Sequence, residues 1–235
     1  MASPQARTGT LEESQVRAMF DRIARVYDLM NSVMTAGLHH RWRERAADLA
    51  AIGPGGRALD VASGTGDLAI ELARRVGPAG TVVGSDFSEA MLERARQKSS
   101  AVTWEWANAL ELPYPDGGFD AATVGFGARN FSDLDRGLAE LARVVRPGGR
   151  VVILEITTPQ HPPLSTFFSI WFDRIVPALG KLAGDPDAYA YLPSSVKRFP
   201  APEELAARMA RAGLTDVRWI LTAGGIIALH VGTVP

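Results

Sequence analysis

The chain has 235 residues, of which 46% are hydrophobic, and a formal net charge of −1. This composition allows a sizeable buried core and excludes a disordered protein. A net charge near zero produces no strong positive potential that would attract a polyanion, which argues against a nucleic-acid partner. The sequence contains no cysteine and its four histidines lack metal-ligand spacing, so we expect neither disulfides nor a metal site.

The N-terminal region is predicted to be a tail followed by a helical extension. Residues 1–11 lack the apolar run of a signal peptide, and no stretch reaches the roughly 18 apolar residues of a membrane span. We therefore expect a cytoplasmic protein with a flexible tail at 1–11. From Leu11 onward apolar residues recur at helical spacing, which predicts an amphipathic helix within an extension spanning 12–55. These residues are Val16, Met19, Phe20, Ile23, Val26, Tyr27 and Met30.

Strands and helices alternate from residue 57 onward. The pattern predicts strands at 57–61, 81–85, 102–106, 119–126 and 150–156, and helices at 67–76, 88–98 and about 133–145. Such alternation is typical of an α/β fold with a doubly wound, mostly parallel, Rossmann-like sheet. We assign residues 56–235 to this domain.

The pattern changes after the last of these strands. A broken apolar helical region at 163–183 and a loop rich in Tyr, Pro and Ser at 185–200 form a predicted insertion at about 160–200. A helix at 202–212 follows, and two strands at 216–222 and 226–232 flank Gly224 and Gly225. This last pair predicts a C-terminal antiparallel hairpin that closes the sheet edge.

The turn after the first strand is typical of a nucleotide-binding site. Gly64 and Gly66 lack the Cβ that would keep a ligand away from the backbone, and the helix that begins at Asp67 offers free N–H donors. Asp86 lies 20 residues after Gly66, at the end of the second strand, where a carboxylate can accept both ribose hydroxyls. The sequence therefore predicts a ligand with an adenosine-like ribose.

Two cofactor classes fit this turn. Gly64, Gly66 and Ala69 satisfy the dinucleotide pattern of NAD or FAD enzymes. Asp60 favours the other class, because a carboxylate there would crowd a pyrophosphate but can hold the cationic amino-acid end of S-adenosylmethionine. The Tyr-x-x-x-Lys pair of a short-chain dehydrogenase is also missing from the sequence. An NAD-dependent oxidoreductase thus remains the less favoured alternative.

Several motifs together point to one family. They are Phe20-x-x-Ile23-Ala-x-x-Tyr27-Asp28-x-Met30-Asn31, Gly37-x-x-x-x-Trp42-Arg43, Asp60-Val-Ala-Ser-Gly-Thr-Gly-Asp67, Phe126-Gly-Ala-Arg-Asn130, Arg146-Pro-Gly-Gly149 with Ile153-Leu-Glu155, and Gly224-Gly-Ile-Ile-Ala-Leu-His230. In this combination the chain resembles the class I S-adenosylmethionine-dependent methyltransferases and, more narrowly, the ubiquinone/menaquinone biosynthesis C-methyltransferase family. The resemblance extends from about Val16 to the C-terminus.

The resemblance implies a set of cofactor contacts. Thr65 is expected at the methionine end, Asp86 at the ribose, and Asn108 with Ala109 at the adenine. Gly125 stands where many relatives carry Ser, which reduces a contact there to backbone. The predicted cofactor-binding residues are Asp60, Gly64, Thr65, Gly66, Asp86, Asn108, Ala109 and Gly125. Tyr27-Asp28 and Trp42-Arg43 either cover the cofactor or form a solvated amphipathic segment.

The resemblance also implies a reaction and a substrate. We expect methyl transfer from S-adenosyl-L-methionine to a ring carbon of demethylmenaquinol, a polyprenyl quinol, giving menaquinol and S-adenosyl-L-homocysteine. A ubiquinone precursor or another apolar ring is the alternative. The aromatic stretch 167–172 either lines the entrance for such a substrate or packs in the core. Peripheral contact with the inner face of the cell membrane and a homo-oligomeric state stay open.

The predicted catalytic residues are Arg129, Asn130 and Tyr191. Arg129 and Asn130 follow a buried strand, at the edge where α/β sheets place their ligands. A guanidinium there would stabilise the quinolate whose electron density drives attack by the ring carbon. The alternative for Arg129 is an ordinary surface residue in a helix-capping loop. Tyr191 lies in the predicted 185–200 loop, which we expect over the substrate.

Overall fold

The computed structural model describes residues 12–160, 162–176, 178 and 185–235, so the predicted tail at 1–11 lies outside the described part. The strands are β1 (Arg57–Val61), β2 (Thr81–Asp86), β3 (Thr103–Trp106), β4 (Phe119–Gly125), β5 (Val145–Ile156), β6 (Thr215–Thr222) and β7 (Ile227–Thr233). Within the described residues they form one seven-stranded sheet in the order β3-β2-β1-β4-β5-β7-β6.

The helices are α1 (Glu13–Ile23), α2 (Tyr27–Thr35), α3 (Leu38–Leu49), α4 (Asp67–Val76), α5 (Glu89–Lys98), α6 (Leu134–Val144), α7 (Leu164–Ile170), α8 (Pro186–Arg198) and α9 (Pro202–Arg211). Short 3-10 turns lie at Ala128–Asn130 and Ala223–Gly225, and one π-helical turn lies at Trp171–Ile175. No helix of the described ranges is both long and apolar enough to cross a bilayer.

The predicted doubly wound sheet with a C-terminal hairpin is confirmed. Strands β1 to β5 run parallel, and β7 lies antiparallel between β5 and β6. The strand order reverses between β1, which continues to β2 on one side, and β4, which continues to β5 on the other. A crevice opens at such a reversal, outside the carboxyl ends of the strands.

The central strands of the sheet are buried on both faces. In β1, Ala58 packs in the cluster that includes Leu68 and Leu72 of α4, whereas Leu59 faces the opposite cluster, which contains Leu138 of α6. Each fully buried leucine contributes about 1.5–3 kcal/mol relative to an exposed one. Burial of both faces explains why Ala58 and Leu59, whose side chains point to opposite faces of β1, are both apolar.

The N-terminal helix is broken where the sequence predicted one continuous element. The chain turns at residues 24–26, so that α1 ends at Ile23 and α2 begins at Tyr27. Met19 and Ile23 of α1 and Met30 of α2 nevertheless face one apolar cluster, which explains why the apolar spacing continues through the break. A second turn at Gly37, where φ is +75°, leads into α3.

The predicted loop at 185–200 is wrong, because residues Pro186–Arg198 form α8. The Asp185 side chain caps this helix by accepting from the backbone N–H of Ala188 at 3.1 Å. Pro186 occupies the first turn, where a missing N–H costs nothing, and Pro193 is tolerated inside the helix. Val196 is buried against Phe168 and Phe172, so packing outweighs the weak helical propensity of this segment.

Candidate active site

The glycine turn between β1 and α4 lies at the crevice where the strand order reverses. Gly64 and Gly66 have φ values of +56° and +90°, in the left-handed region that favours glycine. A Cβ on Gly66 would also lie 2.2 Å from the Trp104 ring. Conformation and packing thus require glycine at 66, and the turn presents backbone N–H groups to the crevice.

Asp86 ends β2 beside this turn. Its Oδ2 accepts from the N–H of Gly64 at 2.8 Å and its Oδ1 accepts from the N–H of Ser88 at 2.9 Å. Burial raises the pKa of Asp86 to about 6, although the hydrogen bonds from Ser88 and Gly64 lower it. Each carboxylate oxygen still has a free acceptor position, which a ribose hydroxyl can use.

Asp60 and Ser63 supply two unsatisfied polar atoms to the same crevice. Asp60 Oδ1 accepts from Thr123 Oγ1 at 2.5 Å, whereas Asp60 Oδ2 and Ser63 Oγ are buried without a hydrogen-bond partner in the described chain. Burial raises the pKa of Asp60 to about 7. Buried polar atoms rarely lack partners, so these two indicate a polar ligand. A cationic ammonium group fits an unpartnered carboxylate oxygen.

Asn108, Ala109 and Gly125 complete the wall of a cavity of about 70 Å³. Asn108 Oδ1 accepts from the N–H of Leu110 and its amide donates to Glu13 of α1, both at 2.9 Å. A Cβ on Gly125 would lie 3.0 Å from Leu68, so a larger residue would be tight there. Of the predicted cofactor-binding residues, Asp60, Gly64, Thr65, Asp86, Asn108, Ala109 and Gly125 line this cavity, and Gly66 forms the turn next to it.

The N-terminal helices cover this cavity through the acidic side chains of Asp28, for which a covering role was one of the two predicted alternatives, and Glu13, which was not predicted. Thr65 Oγ1 donates to Asp28 of α2 at 2.5 Å, and Lys98 lies 2.6 Å from Asp28 and 2.8 Å from Asp67. About 70 Å³ is far below the roughly 300–1,000 Å³ of small-molecule sites, so the cover has to shift when a cofactor enters. Asp28 was visible in a motif, but its contact with Thr65 spans 37 residues of sequence.

A larger cavity of about 370 Å³ adjoins the first. Its wall is mostly apolar and comes from the N-terminal helices, α7, the π-helical turn and α8. The wall residues include Met19, Ile23, Met30, Met34, Trp42, Phe167, Phe168, Trp171, Phe172 and Leu192. Phe20, Tyr27, Arg43 and Phe126 line both cavities, so these four form the boundary between them. The aromatic stretch 167–172 therefore lines a cavity, while Phe168 and Phe172 also stack on each other at 4.2 Å.

The structure brings the predicted catalytic residues together at this boundary. Arg129 is buried, with 7% of its side chain exposed, and is therefore no surface residue. It and Tyr191 line the larger cavity, and Asn130 lines the smaller one. The Tyr191 hydroxyl donates to Asn130 Oδ1 at 3.2 Å. Burial raises the pKa of Tyr191, which keeps its hydroxyl a neutral donor at neutral pH.

Glu155 of β5 holds Arg129 in place and was missed as a site residue. Its Oε1 lies 2.9 Å from Arg129 Nη1, and its Oε2 accepts from the backbone N–H of Arg129 at 3.2 Å. Arg129 Nη1 also donates to the carbonyl oxygen of Phe126. Arg129 Nε has no partner in the described part of the chain, so one charged donor remains for a ligand. The motif Ile153-Leu-Glu155 contained the signal for this residue.

His39, His40 and Asp67 form the one cluster with metal-ligand proximity that the described residues contain. The guanidinium of Arg43 contacts His39 and lies 3.6 Å from Asp67. A bound cation would be repelled by this buried positive charge. The cluster is therefore unsuited to a metal ion.

Known proteins match this chain over nearly its full length. A model of the ubiE/COQ5 methyltransferase family matches residues 8–234. The demethylmenaquinone methyltransferase of Thermus thermophilus is 48% identical over 222 residues, which are 92% of this chain and 100% of that protein. The ubiquinone/menaquinone biosynthesis C-methyltransferase UbiE of Geobacter sulfurreducens is 41% identical over 229 residues, which are 95% of this chain and 90% of that protein.

Solved structures match the fold at low identity. The crystal structure of the (4+2)-cyclase SpnF aligns with a TM-score of 0.67 at 21% identity, over 96% of this chain and 98% of that chain. A SAM-dependent methyltransferase from Aquifex aeolicus aligns with a TM-score of 0.62 at 18% identity, over 96% of this chain and 100% of that chain. These neighbours confirm the class I methyltransferase fold.

Proposed function

Because the chain belongs to the ubiE/COQ5 methyltransferase family, we propose that it methylates a ring carbon of demethylmenaquinol with S-adenosylmethionine. The products are menaquinol and S-adenosylhomocysteine. The observation that carries this proposal is the junction of two unlike cavities, one polar with the unpartnered Asp60 Oδ2 and Ser63 Oγ, the other apolar and about 370 Å³ in volume. Such a pair suits a polar cofactor and an apolar ring.

The polar cavity fits S-adenosylmethionine, which supplies an electrophilic methyl group when bound. Asp86 would accept the ribose hydroxyls, and Asp60 Oδ2 would accept from the α-ammonium group. Asn108 and Ala109 would lie at the adenine, where the Asn108 carbonyl oxygen accepts from the amino group. Thr65 would exchange its bond to Asp28 for one to the methionine end. Except for Thr65, each contact uses an acceptor that the crevice already presents.

The apolar cavity fits a polyprenyl quinol. Its aromatic and aliphatic walls exclude water from the reacting groups and hold the ring at the boundary with the cofactor cavity. The protein contributes mainly by positioning the ring carbon in line with the methyl group and sulfur. The size and apolar character of this cavity support a prenylated substrate over a small polar one.

Arg129 and its neighbours would stabilise the quinolate. The unpartnered Nε of Arg129 is a charged donor for the quinol oxygen, and Glu155 fixes the orientation of the guanidinium. Tyr191 and Asn130 extend this polar strip along the boundary. Arg129 does not act as the base, because a guanidinium is a donor only and offers no acceptor for the proton.

We further propose that the protein contacts the membrane peripherally at the mouth of the apolar cavity. Val33, Leu38 and Phe167 line this cavity and are also exposed at the surface. The nearby residues Leu29, Leu164 and Ile170 are exposed and apolar as well. An exposed apolar rim around a cavity for a lipid-borne substrate supports entry of the quinol directly from a bilayer.

A ubiquinone precursor is a second candidate substrate, since the name of the Geobacter sulfurreducens relative contains both quinones.

The cofactor class is tested first, by melting curves of the purified protein. S-adenosylhomocysteine is expected to raise the melting temperature, whereas NADH is expected to leave it unchanged. A shift with NADH alone would contradict the methyltransferase and favour an oxidoreductase.

A further inference from the structure

Arg43 is a buried charged residue at the boundary of the two cavities. It lies on α3 with 7% of its side chain exposed, and it lines both the polar and the apolar cavity. Its guanidinium lies over the Phe126 ring, 5.4 Å from the ring centroid. The methyl-transfer reaction of the proposed function takes place beside this position.

The contacts of Arg43 leave much of its hydrogen-bonding capacity unused. Nη1 contacts the ring of His39 and the His39 carbonyl oxygen, the latter at 3.4 Å. The ion pair with Asp67 is 3.6 Å long, beyond hydrogen-bond distance. In the described part of the chain Nε and Nη2 have no hydrogen-bond acceptor. Because Arg43 lines both cavities, these two nitrogens are available to an anionic ligand that enters them.

His39 fixes the orientation of these free donors without adding charge. Burial, followed by the charge of Arg43, lowers the pKa of His39 to about 4, so the ring is neutral at neutral pH. Because Arg43 can only donate, His39 Nδ1 accepts and Nε2 donates to Ser32 Oγ at 3.2 Å. The contact with His39 on the same helix therefore fixes the guanidinium of Arg43, and its remaining donors are available to the cavities.

Lys98, the other cation at this end of the crevice, is already occupied. Its Nζ lies within 2.6–2.9 Å of Asp28, Asp67 and Thr65. Asp60, in contrast, is close enough to Arg43 for the guanidinium charge to lower its pKa, and Asp60 Oδ2 is unpartnered. An acid with an unpartnered oxygen and a cation with free donors thus line one cavity, as a zwitterionic amino-acid ligand requires.

We propose that Arg43 binds the α-carboxylate of S-adenosylmethionine, while Asp60 binds its α-ammonium group. The inference rests on the proposed cofactor, S-adenosylmethionine. It adds Arg43 as the residue that favours a ligand with the α-carboxylate over one without it. A guanidinium can bind a carboxylate through two parallel donors, which gives geometric specificity as well as energy.

Two ligands that differ only in this carboxylate test the proposal. Calorimetry measures the Kd of S-adenosylmethionine and of decarboxylated S-adenosylmethionine for the wild type, Arg43→Ala, Arg43→Lys and the control Arg41→Ala, whose exposed residue lies on the same helix. Wild type and Arg41→Ala are expected to prefer the carboxylated ligand by roughly tenfold or more. In Arg43→Ala this preference falls to about twofold or less, and in Arg43→Lys it is intermediate.

A structural role of Arg43 gives a different result. Loss of packing would weaken both ligands equally and preserve their ratio, which would overturn the proposal. A ratio of the two Kd values that stays at the wild-type level in a folded Arg43→Lys would overturn the proposal as well. If Arg43→Ala does not fold, the result for Arg43→Lys decides. If the wild type binds neither ligand, the proposed cofactor is contradicted. This outcome is distinct from failure of the Arg43 proposal, in which the wild type binds but the ratio does not depend on Arg43.

Discussion

Arg129 Nη1 lies 2.9 Å from Glu155 Oε1, and both side chains are buried, with Arg129 in the wall of the apolar cavity and Glu155 behind it. Glu155 also accepts from the backbone N–H of Arg129, so the carboxylate holds both the side chain and the start of the 3-10 turn. The pair leaves Nε unsatisfied. The Nε–H of Arg129 is therefore left to donate to an oxygen of a ligand in the apolar cavity.

Arg129→Ala and Arg129→Lys are expected to lower turnover at least roughly tenfold while cofactor Kd changes little. The guanidinium of Arg129 stabilises the negative charge that develops on the quinol oxygen, and Arg129→Ala removes it. The ammonium group of Arg129→Lys cannot place its donors where the guanidinium places them. Steady-state kinetics and calorimetry measure the two effects, with the exposed Arg136→Ala as control. Near-normal turnover of a folded Arg129→Ala would move the quinolate-stabilising role to Asn130 or Tyr191.

Glu155→Gln is expected to destabilise the protein by about 3–5 kcal/mol, because it leaves the buried guanidinium of Arg129 without its counter-charge. The double variant Arg129→Met with Glu155→Gln should recover part of this loss, since no unpaired charge remains. Urea unfolding of Arg129→Met, Glu155→Gln and the double variant measures the coupling. Strict additivity of the two single changes would show that the pair is not coupled.

Asp86→Ala is expected to weaken S-adenosylmethionine binding by about 1–3 kcal/mol, because two ribose hydroxyls lose a charged acceptor. Asp116→Ala is a matched control, since that carboxylate is exposed. Melting curves must accompany the calorimetry, because Asp86 also accepts from the backbone N–H groups of Gly64 and Ser88. Unchanged cofactor affinity would remove Asp86 from the site.

Cofactor binding should strengthen as pH rises from 6 to 8. Burial raises the pKa of Asp60 to about 7, and only the ionised carboxylate attracts the ammonium group, so Kd falls roughly tenfold across this range. The folding stability of the cofactor-free protein has the opposite pH dependence. Because the pKa of Asp60 is raised on folding, its contribution to stability is present below about pH 4 and is lost as pH rises through about 7. Calorimetry at several pH values measures the first effect, and a dependence that persists in Asp60→Asn would exclude Asp60 as its source.

Replacing Leu29 and Ile170 together by Ser is expected to reduce binding to phospholipid vesicles by about threefold or more. Both side chains are exposed beside the mouth of the apolar cavity, and neither lines it. Trp106→Ser on β3 is the control, because Trp106 is comparably exposed and lies at the opposite edge of the sheet from the strands that lead into the cavity wall. Vesicle binding that is equal in wild type and the double variant would contradict membrane contact at this face.

The sequence was sufficient to predict the positions of Asp60 and Asp86 because both lie on parallel strands that pair directly, with Asp60 beside Gly84 in the register. Strand ends and a glycine turn are local features, so their assembly into one crevice follows from the fold. The helix at α8 was not predictable in this way, since its Pro, Ser and Tyr content indicates a loop and only packing against Phe168 and Phe172 makes it helical. The contacts of Glu13 and Asp28 with the crevice depend on how α1 and α2 lie over it, which no spacing reveals.

The most direct test of the central claim is the mass of the product. Purified protein is incubated with S-adenosylmethionine and with reduced demethylmenaquinone, oxidised demethylmenaquinone or a reduced demethylated ubiquinone precursor. We predict that the reduced demethylmenaquinone gains one methylene unit and that the oxidised quinone gains none, since only the quinol supplies a nucleophilic ring carbon. Equal methylation without reductant would contradict the quinolate mechanism, and methylation of the ubiquinone precursor alone would contradict the assigned substrate.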